Sequence, residues 1–511
     1  MNRGPKNVKT KSLLQNTTIA SIEKVFGLLV NILLLPIIIK TLGVIGYGQW
    51  VFLFTVSNYF MLAQFGISVS FKKFISEDLV LKKNESVKEF VCTAFYTLLL
   101  ITAVIVLLSI IISPFIFAFF KIGGDVHDNS FALNFLIFAS SIGLINEIAV
   151  SIPQCYQRFD IASYIGISGK IIYLIIVLSL VFFHLTIPGL IFAVLISNIS
   201  VFVLNLFFSY KLFPQLSLSP GFIKKNQFKR MFQFGVKLQV VFLATYIANN
   251  LDKLLIGKFL GPTYITIYDI GSKIISFFRE IPYVFFLVIM PYSSELYMVN
   301  EIEKLKKICS NYTAHFVLIC SVLFAFVFYN AESILKFWIG NNVNPLSVYI
   351  LRVLLVGSIV HLSTGIMTTI LKVTGNLRPE LIGNLTIAII NFLLSIVLIF
   401  LYGIKGVVWG TTIGFVFGSI VIYFLSTKAY KMNFGKFLGQ IFIIPIVNAV
   451  VFTSINFYLG NKLLIFCKHN EFQEILINFN IGFGILLLNL VILYKLKLLP
   501  RFFRKITNDE Y

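Results

Sequence analysis

The sequence is poor in charge, poorer still in acidic residues, and nearly devoid of tryptophan and cysteine. Only 12% of its 511 residues are Asp, Glu, Lys or Arg, about half the share of a soluble domain. That shortage excludes an ordinary water-soluble globule, because so little polar surface cannot cover a chain that is 58% apolar. Cys92, Cys155, Cys309, Cys320 and Cys467 are scattered, odd in number and without a CxxC pair, which argues against a disulfide framework or a metal site. The histidines show no HxxxH or HExxH spacing, and His315 and His361, inside expected helices, read as structural polar contacts. No Walker A sequence, no GxSxG elbow and no soluble domain for a nucleotide is present, so an ATP-driven pump within this chain is excluded. A membrane-embedded transferase or polymerase would want a sizeable extramembrane loop, and the longest loops, near 331–346 and 461–474, are short. A transporter is therefore expected rather than an enzyme, with no cofactor, no metal and no nucleic-acid partner.

What the chain does have is long apolar runs. A spanning helix needs about 20 mainly apolar residues, and most runs here are apolar all round rather than striped. The expected fold is an all-α integral membrane protein with about 14 transmembrane helices. The segments are 16–39, 47–71, 91–120, 131–152, 163–184, 187–211, 232–256, 265–290, 308–330, 347–371, 380–402, 404–427, 440–460 and 475–494. The first, Asn16–Ile39, is too long for a signal peptide and lacks an A-x-A cleavage site, so it is read as a retained span. With the N-terminus inside, 28 of the 42 Lys and Arg fall on the cytoplasmic side, 7 outside and 7 within spans. Both termini are thus expected in the cytoplasm. This bias accounts for most of the net charge of +21.

A faint repeat runs through the chain. Lys40-Thr-Leu-Gly43 matches Lys258-Phe-Leu-Gly261 at an offset of 218, Ile165-Gly166 matches Ile382-Gly383 at 217, and Ile187-Pro-Gly189 matches Ile404-Lys-Gly406 at 217. The matches hold the same places in the helix order and imply two six-helix lobes, 1–213 and 232–427. A proline-bearing cytoplasmic linker, 214–231, joins them, and 428–511 adds a C-terminal helix pair and a basic tail. Such a repeat suits a cleft between lobes that opens alternately to either side.

Charges inside spans are costly and tend to face a cavity or a partner. Asp269, Lys273, Ser276 and Glu280 stand at i, i+4, i+7 and i+11 of the eighth span, hence on one face, with Arg279 beside them. The stripe lines a cavity or only packs helices. Gln233, Lys237, Thr245 and Asp252 share roughly a third of the seventh helix's circumference, although Asp252-Lys253 is near enough to the boundary to snorkel. Glu23 and Lys24 lie in the first span, and Glu147, Lys170 and Arg352 are single charges in the fourth, fifth and tenth. Cations outnumber acids, which suits a polyanion such as a pyrophosphate. Pro36, Pro114, Pro153, Pro282 and Pro291 bend or end spans, as in moving and static membrane proteins alike.

Leu42-Gly43-x-x-Gly46-Tyr47-Gly48-x-Trp50 resembles the opening of Wzx-type polysaccharide flippases, of the multidrug/oligosaccharidyl-lipid/polysaccharide exporter superfamily. Phe65-Gly66-Ile67, Ser70-Phe-Lys-Lys-Phe-Ile-Ser76, Asn250-Leu-Asp252-Lys-x-x-Ile256-Gly257-x-x-Leu-Gly261, Tyr268-x-x-x-x-Lys273, Pro291-Tyr-Ser-Ser294, Gly375-Asn-x-Arg378 and Tyr402-Gly-Ile-x-Gly406 follow in the family's order over 1–430. The resemblance implies two six-helix bundles around a central cavity, alternating access, and translocation of an undecaprenyl-pyrophosphate-linked oligosaccharide such as an O-antigen repeat unit across the bacterial inner membrane. A coupling ion, H+ or Na+, and the polysaccharide polymerase machinery are implied as further partners. The family's acidic position in the seventh helix falls on Asp252 and its basic position in the eighth on Lys273. Its first-helix cation falls near Lys24, a lysine where arginine is frequent in related lipid flippases, which weakens a bidentate phosphate contact. Lys24, Lys237, Lys273, Arg279 and Arg352 are the candidates for the anionic head group, and Glu147, Asp252, Asp269 and Glu280 those for ion coupling or charge compensation. The competing readings are a cation-coupled drug exporter, which would want an acidic aromatic cavity, a peptidoglycan lipid-precursor flippase, and an O-antigen polymerase.

Overall fold

Helix is the only regular structure among the described residues. A chain in hydrocarbon requires this, since each backbone N–H and C=O must find its partner within its own segment. The computed structural model describes residues 10–64, 66–341, 343–455 and 484. Among them nine helical stretches are long and apolar enough to cross a membrane, and the chain is a multi-pass membrane protein. The expected spans from 16–39 to 404–427 fall largely on helix, 440–460 is helix as far as Ile455, and of the last, 475–494, only Gly484 is among the described residues. Packing divides the chain into two compact units, Met1–Thr266 and Ile267–Tyr511.

The first unit contains α1 (Thr10–Met61), α2 (Ile67–Val80), α3 (Asn84–Phe120), α4 (Val126–Cys155), α5 (Phe159–Phe182), α6 (Ile187–Leu212) and α7 (Lys225–Phe259). The first two expected spans form one helical run that turns at Gly43, where φ is 72° and ψ 172°. Such a backbone suits a residue without Cβ. The second expected span is also shorter than its apolar run. The chain leaves the helix at Met61, makes a 3-10 turn over Leu62–Gln64, and restarts as α2 after Gly66, whose φ is 64°. A side chain at Gly66 would collide with the backbone of Gly235, so α2 and α7 meet there main chain to main chain.

Polar side chains knit α4 to α6. Asn198 Nδ2 donates to Ala139 O at 2.9 Å, Asn205 Nδ2 to Asn146 Oδ1 at 3.0 Å and Ser209 Oγ to Ala149 O at 2.7 Å. Interhelical hydrogen bonds of this kind hold helices where lipid offers no hydrophobic drive. An apolar cluster of Ile67, Phe71, Phe90, Leu98, Ile152, Phe213 and Met231 joins α2, α3 and α4 to the chain on either side of the α6–α7 linker. The linker itself is fastened to α3: Cys92 Sγ reaches Ser219 O at 3.0 Å, Tyr96 Oη donates to Leu218 O at 3.0 Å, and Lys224 N donates to Thr93 Oγ1 at 3.0 Å. At the α4–α5 turn Arg158 grips Asp160 through Nε at 2.9 Å and Nη2 at 3.0 Å, and that carboxylate raises the guanidinium pKa above its ordinary value.

The second unit takes most of α8 (Pro262–Met298), then α9 (Ile302–Tyr329), α10 (Ala331–Ile339), α11 (Pro345–Ser363), α12 (Gly365–Val373), α13 (Arg378–Tyr402), α14 (Ile404–Ala429) and α15 (Phe434–Ile455). The tenth expected span, 347–371, is two helices that meet at Thr364, and Gly365 just beyond sits against the Phe286 ring, which a Cβ there would overlap. Gly406, Gly410, Gly414 and Gly418 recur every fourth residue along α14 and let it press onto α13. A Cβ on Gly414 would lie 3.1 Å from Ile387 O, and one on Gly418 would lie 2.8 Å from Gly383 O. Asn391 Oδ1 accepts from Ser395 Oγ at 2.7 Å and from Thr411 Oγ1 at 3.3 Å inside the same seam.

Candidate functional site

The candidate residues separate into clusters, each within one unit. In the first unit Lys170 of α5 reaches α1. Its Nζ stands 3.0 Å from Glu23 Oε1 and 2.9 Å from Glu23 O. Gly27 and Gly166 make room for the two side chains, because a Cβ at either would strike one of them. Both charges are about two-thirds buried, at 32% and 28% exposure. Lys24 follows on the next face, a turn of about 100° away, and is exposed. On α4, Glu147 faces Lys72 of α2 at 3.6 Å, both roughly 40% exposed. The sequence offers Glu147 as a single charge; its partner lies 75 residues earlier, beyond the reach of helical spacing.

Asp252 of α7 is buried at 1% exposure. It is close enough to Tyr59 of α1 to act on it electrostatically. The Tyr59 and Tyr246 rings meet edge to face at 4.9 Å, and the Tyr59 hydroxyl is buried without a hydrogen-bond partner among the described residues. The side chain of Lys237, on the same helix as Asp252, lies outside the described residues.

In the second unit the α8 stripe is divided. Asp269 is buried at 1% exposure, and Lys273 one turn on stands 3.8 Å from it, a third exposed. Ser276 is exposed, and the side chain of Glu280 lies outside the described residues. Arg279 lies 5.9 Å from the Phe415 ring. His361 of α11 stacks on that ring at 5.0 Å, nearly parallel at 4°. Its Nδ1 is buried without a partner among the described residues. The sequence gives His361 a bland structural role and does not connect it to Arg279. Gly271, where a Cβ would lie 2.8 Å from Ser347 O, brings α8 and α11 into contact and sets this geometry.

Arg352 stands apart from Arg279. It lies about 10 Å along α11 from its start at Pro345, donates from Nε to Phe328 O at 3.2 Å, and lines a pocket with Glu332 and Lys336. Among the described residues no group of three His, Cys, Asp or Glu could hold a metal ion. The arrangement supplies fixed charges, acids paired with lysines and aromatic walls within the helical units.

Similar folds occur in several solved transporters. Lipid II flippase MurJ in an inward closed conformation aligns with a TM-score of 0.70 at 17% identity, covering 94% of this chain and 99% of that one. An inward-facing multidrug resistance MATE family transporter of the MOP superfamily gives 0.64 at 15%, over 82% and 98%. The Vibrio cholerae MATE transporter VcmN in its bent form gives 0.60 at 15%, over 83% and 98%. No curated protein matches the sequence. These likenesses establish that the chain shares its fold with those proteins. A family model described as polysaccharide biosynthesis protein matches residues 47–348, well over half of the chain. Because the match spans more than half of the chain, and takes in buried Asp252 and the Asp269–Lys273 pair, the chain belongs to the polysaccharide biosynthesis protein family.

Proposed function

We propose that this protein is a flippase: it moves an undecaprenyl-pyrophosphate-linked oligosaccharide, an O-antigen or similar repeat unit, from the cytoplasmic to the outer leaflet of the bacterial inner membrane by alternating access. The observation that carries the reading is the polysaccharide family match across 47–348. The intramembrane cations supply the chemistry for the pyrophosphate. Lys24, Lys237, Lys273 and Arg279 are the head-group candidates. Asp252, Asp269, Glu147 and Glu280 hold a coupling H+ or Na+ or balance charge, the last role being favoured for Glu147 and Asp269 by their lysine partners. The Lys and Arg distribution supports cytoplasmic termini, and the offset repeat supports two related lobes, 1–213 and 232–427, with 428–511 as an added pair.

The test is deletion of the gene in its host, with the wild-type gene supplied back. Loss of long-chain surface polysaccharide, with lipid-linked repeat units accumulating on the cytoplasmic side, supports the flippase. Accumulation on the outer side points to a polymerase, and an unchanged polysaccharide ladder in a strain without a second flippase sinks the proposal. The likeness to MurJ keeps a peptidoglycan-precursor reading as the second one. Rescue of a MurJ-depleted strain by this chain would select it.

A further inference from the structure

At the α10 end of α11 the second unit holds a pocket of about 240 Å³, lined by Glu332, Lys336, Val343, Val348, Tyr349 and Arg352 among others. That is smaller than the roughly 300–1,000 Å³ of a drug-sized site, and it suits a single sugar ring. Three features define its chemistry. First, Arg352 is positioned but not consumed. Its Nε donates to Phe328 O and its Cζ lies 5.9 Å from the centre of the Phe328 ring, so among the described residues the terminal nitrogens are the donors left for a ligand. Second, the cationic partner is already balanced, since Lys336 Nζ lies 2.9 Å from Glu332 Oε1. The pocket therefore carries a net excess of one positive charge, and Glu332 offers acceptor oxygens beside it. Third, Tyr349 forms an aromatic wall held in place from α14. Trp409 Nε1 donates to its hydroxyl at 2.8 Å, and Lys405 Nζ lies 5.2 Å from its ring centre.

We infer that this pocket binds one carboxylate-bearing sugar residue. A guanidinium fork takes a carboxylate in a bidentate grip, an aromatic face takes the apolar face of a pyranose, and a carboxylate takes sugar hydroxyls as donors. A lipid phosphate fits worse. It has no hydroxyls for Glu332, and its larger negative charge is opposed by Glu332 more than the single charge of a carboxylate is. On the Lys and Arg distribution this end of the unit faces outward, where a carried glycan would emerge. The inference rests on the polysaccharide reading for the presence of a glycan, but not for the binding itself.

Binding is tested on the full chain in a detergent without a sugar head group, by saturation-transfer NMR with glucuronate, methyl glucoside and inorganic phosphate as probes. The expected result is a saturable glucuronate signal that methyl glucoside and phosphate at equal concentration do not displace. Arg352→Gln should weaken it at least about tenfold, while Arg158→Gln, the same charge change in the other unit, should leave it intact. Glu332→Gln should let phosphate compete. Absence of a glucuronate signal, its survival in Arg352→Gln, or displacement by phosphate from the wild-type chain would overturn the inference, the last marking a lipid head-group pocket. Where Arg352→Gln fails to fold, the selectivity of the wild-type chain decides alone. Glucuronate binding with no transport phenotype on gene deletion would retain the pocket and reject the flippase, and the converse would do the reverse.

Discussion

Lys170→Met is the perturbation that separates a structural charge from a carrier charge. It removes the only described ion pair of Glu23 and leaves that carboxylate two-thirds buried between α1 and α5. Exposed pairs contribute about 0–1 kcal/mol, and truncating one partner of a fully buried pair costs about 3–5 kcal/mol. At 32% and 28% exposure the pair falls between these limits, so the single variant should lose roughly 2 kcal/mol. The further bond from Lys170 Nζ to Glu23 O adds little, because that carbonyl keeps its place in the α1 helix. Glu23→Gln combined with Lys170→Met removes the orphaned charge and should recover at least about 1 kcal/mol of the summed single losses. The assay is equilibrium unfolding of purified protein in mixed micelles, with the full double-mutant cycle. Transport is then measured in cells as restoration of surface polysaccharide to the deletion strain. The double variant should transport at near wild-type level if the pair only anchors α1 to α5. Additive losses, or a Lys170→Met variant as stable as wild type, would refute the energetic argument. A stable double variant without transport would move the pair into the carrier site.

Lys273→Ala should impair transport while the protein still reaches the membrane, and wild-type restoration of surface polysaccharide would remove Lys273 from the site. Gly418→Leu places a side chain against Gly383 O and Ile387. It should cost about 3 kcal/mol or more through overpacking, read as loss of folded protein in detergent, whereas Gly435→Leu, with only Asn433 near its Cβ, should fold. Tyr59→Phe deletes a buried hydroxyl that has no described partner. Its stability should stay within about 0.5 kcal/mol of wild type or rise, and a clear loss in unfolding titrations would show that the hydroxyl is satisfied by a bound group.

The spans were legible because hydrocarbon length imposes apolar runs that no soluble constraint would produce. Two breaks inside those runs were not. At Leu62–Gln64 and at Thr364 the apolar run continues without proline, and the close contacts beside these breaks, Gly66 with Gly235 and Gly365 with Phe286, belong to the packing of separate helices. Charge placement was legible along a helix but not across helices. Asp269 and Lys273 are one turn apart and could be paired by spacing. Glu147 with Lys72, and Glu23 with Lys170, meet only through the packing of separate helices. Arg352 could be placed in the tenth span, yet its pocket depends on α10, which the sequence leaves as loop. The glycines at 406, 410, 414 and 418 were in plain view, a small-xxx-small pattern whose close packing of α14 on α13 went unread.

The bonding pattern bears on how such a protein can move. Each described intramembrane ion pair closes within one compact unit: Glu23 with Lys170 and Lys72 with Glu147 in the first, Asp269 with Lys273 in the second. The seams are likewise internal, asparagine and serine bonds between α4 and α6 in the first unit and the glycine contact of α13 with α14 in the second. Displacing one unit as a body therefore breaks none of these contacts, whereas opening either unit from within breaks several and strands buried charge. The α6–α7 linker, expected from its composition to be a cytoplasmic link between lobes, is likewise tied to α3 through Ser219, Leu218 and Lys224.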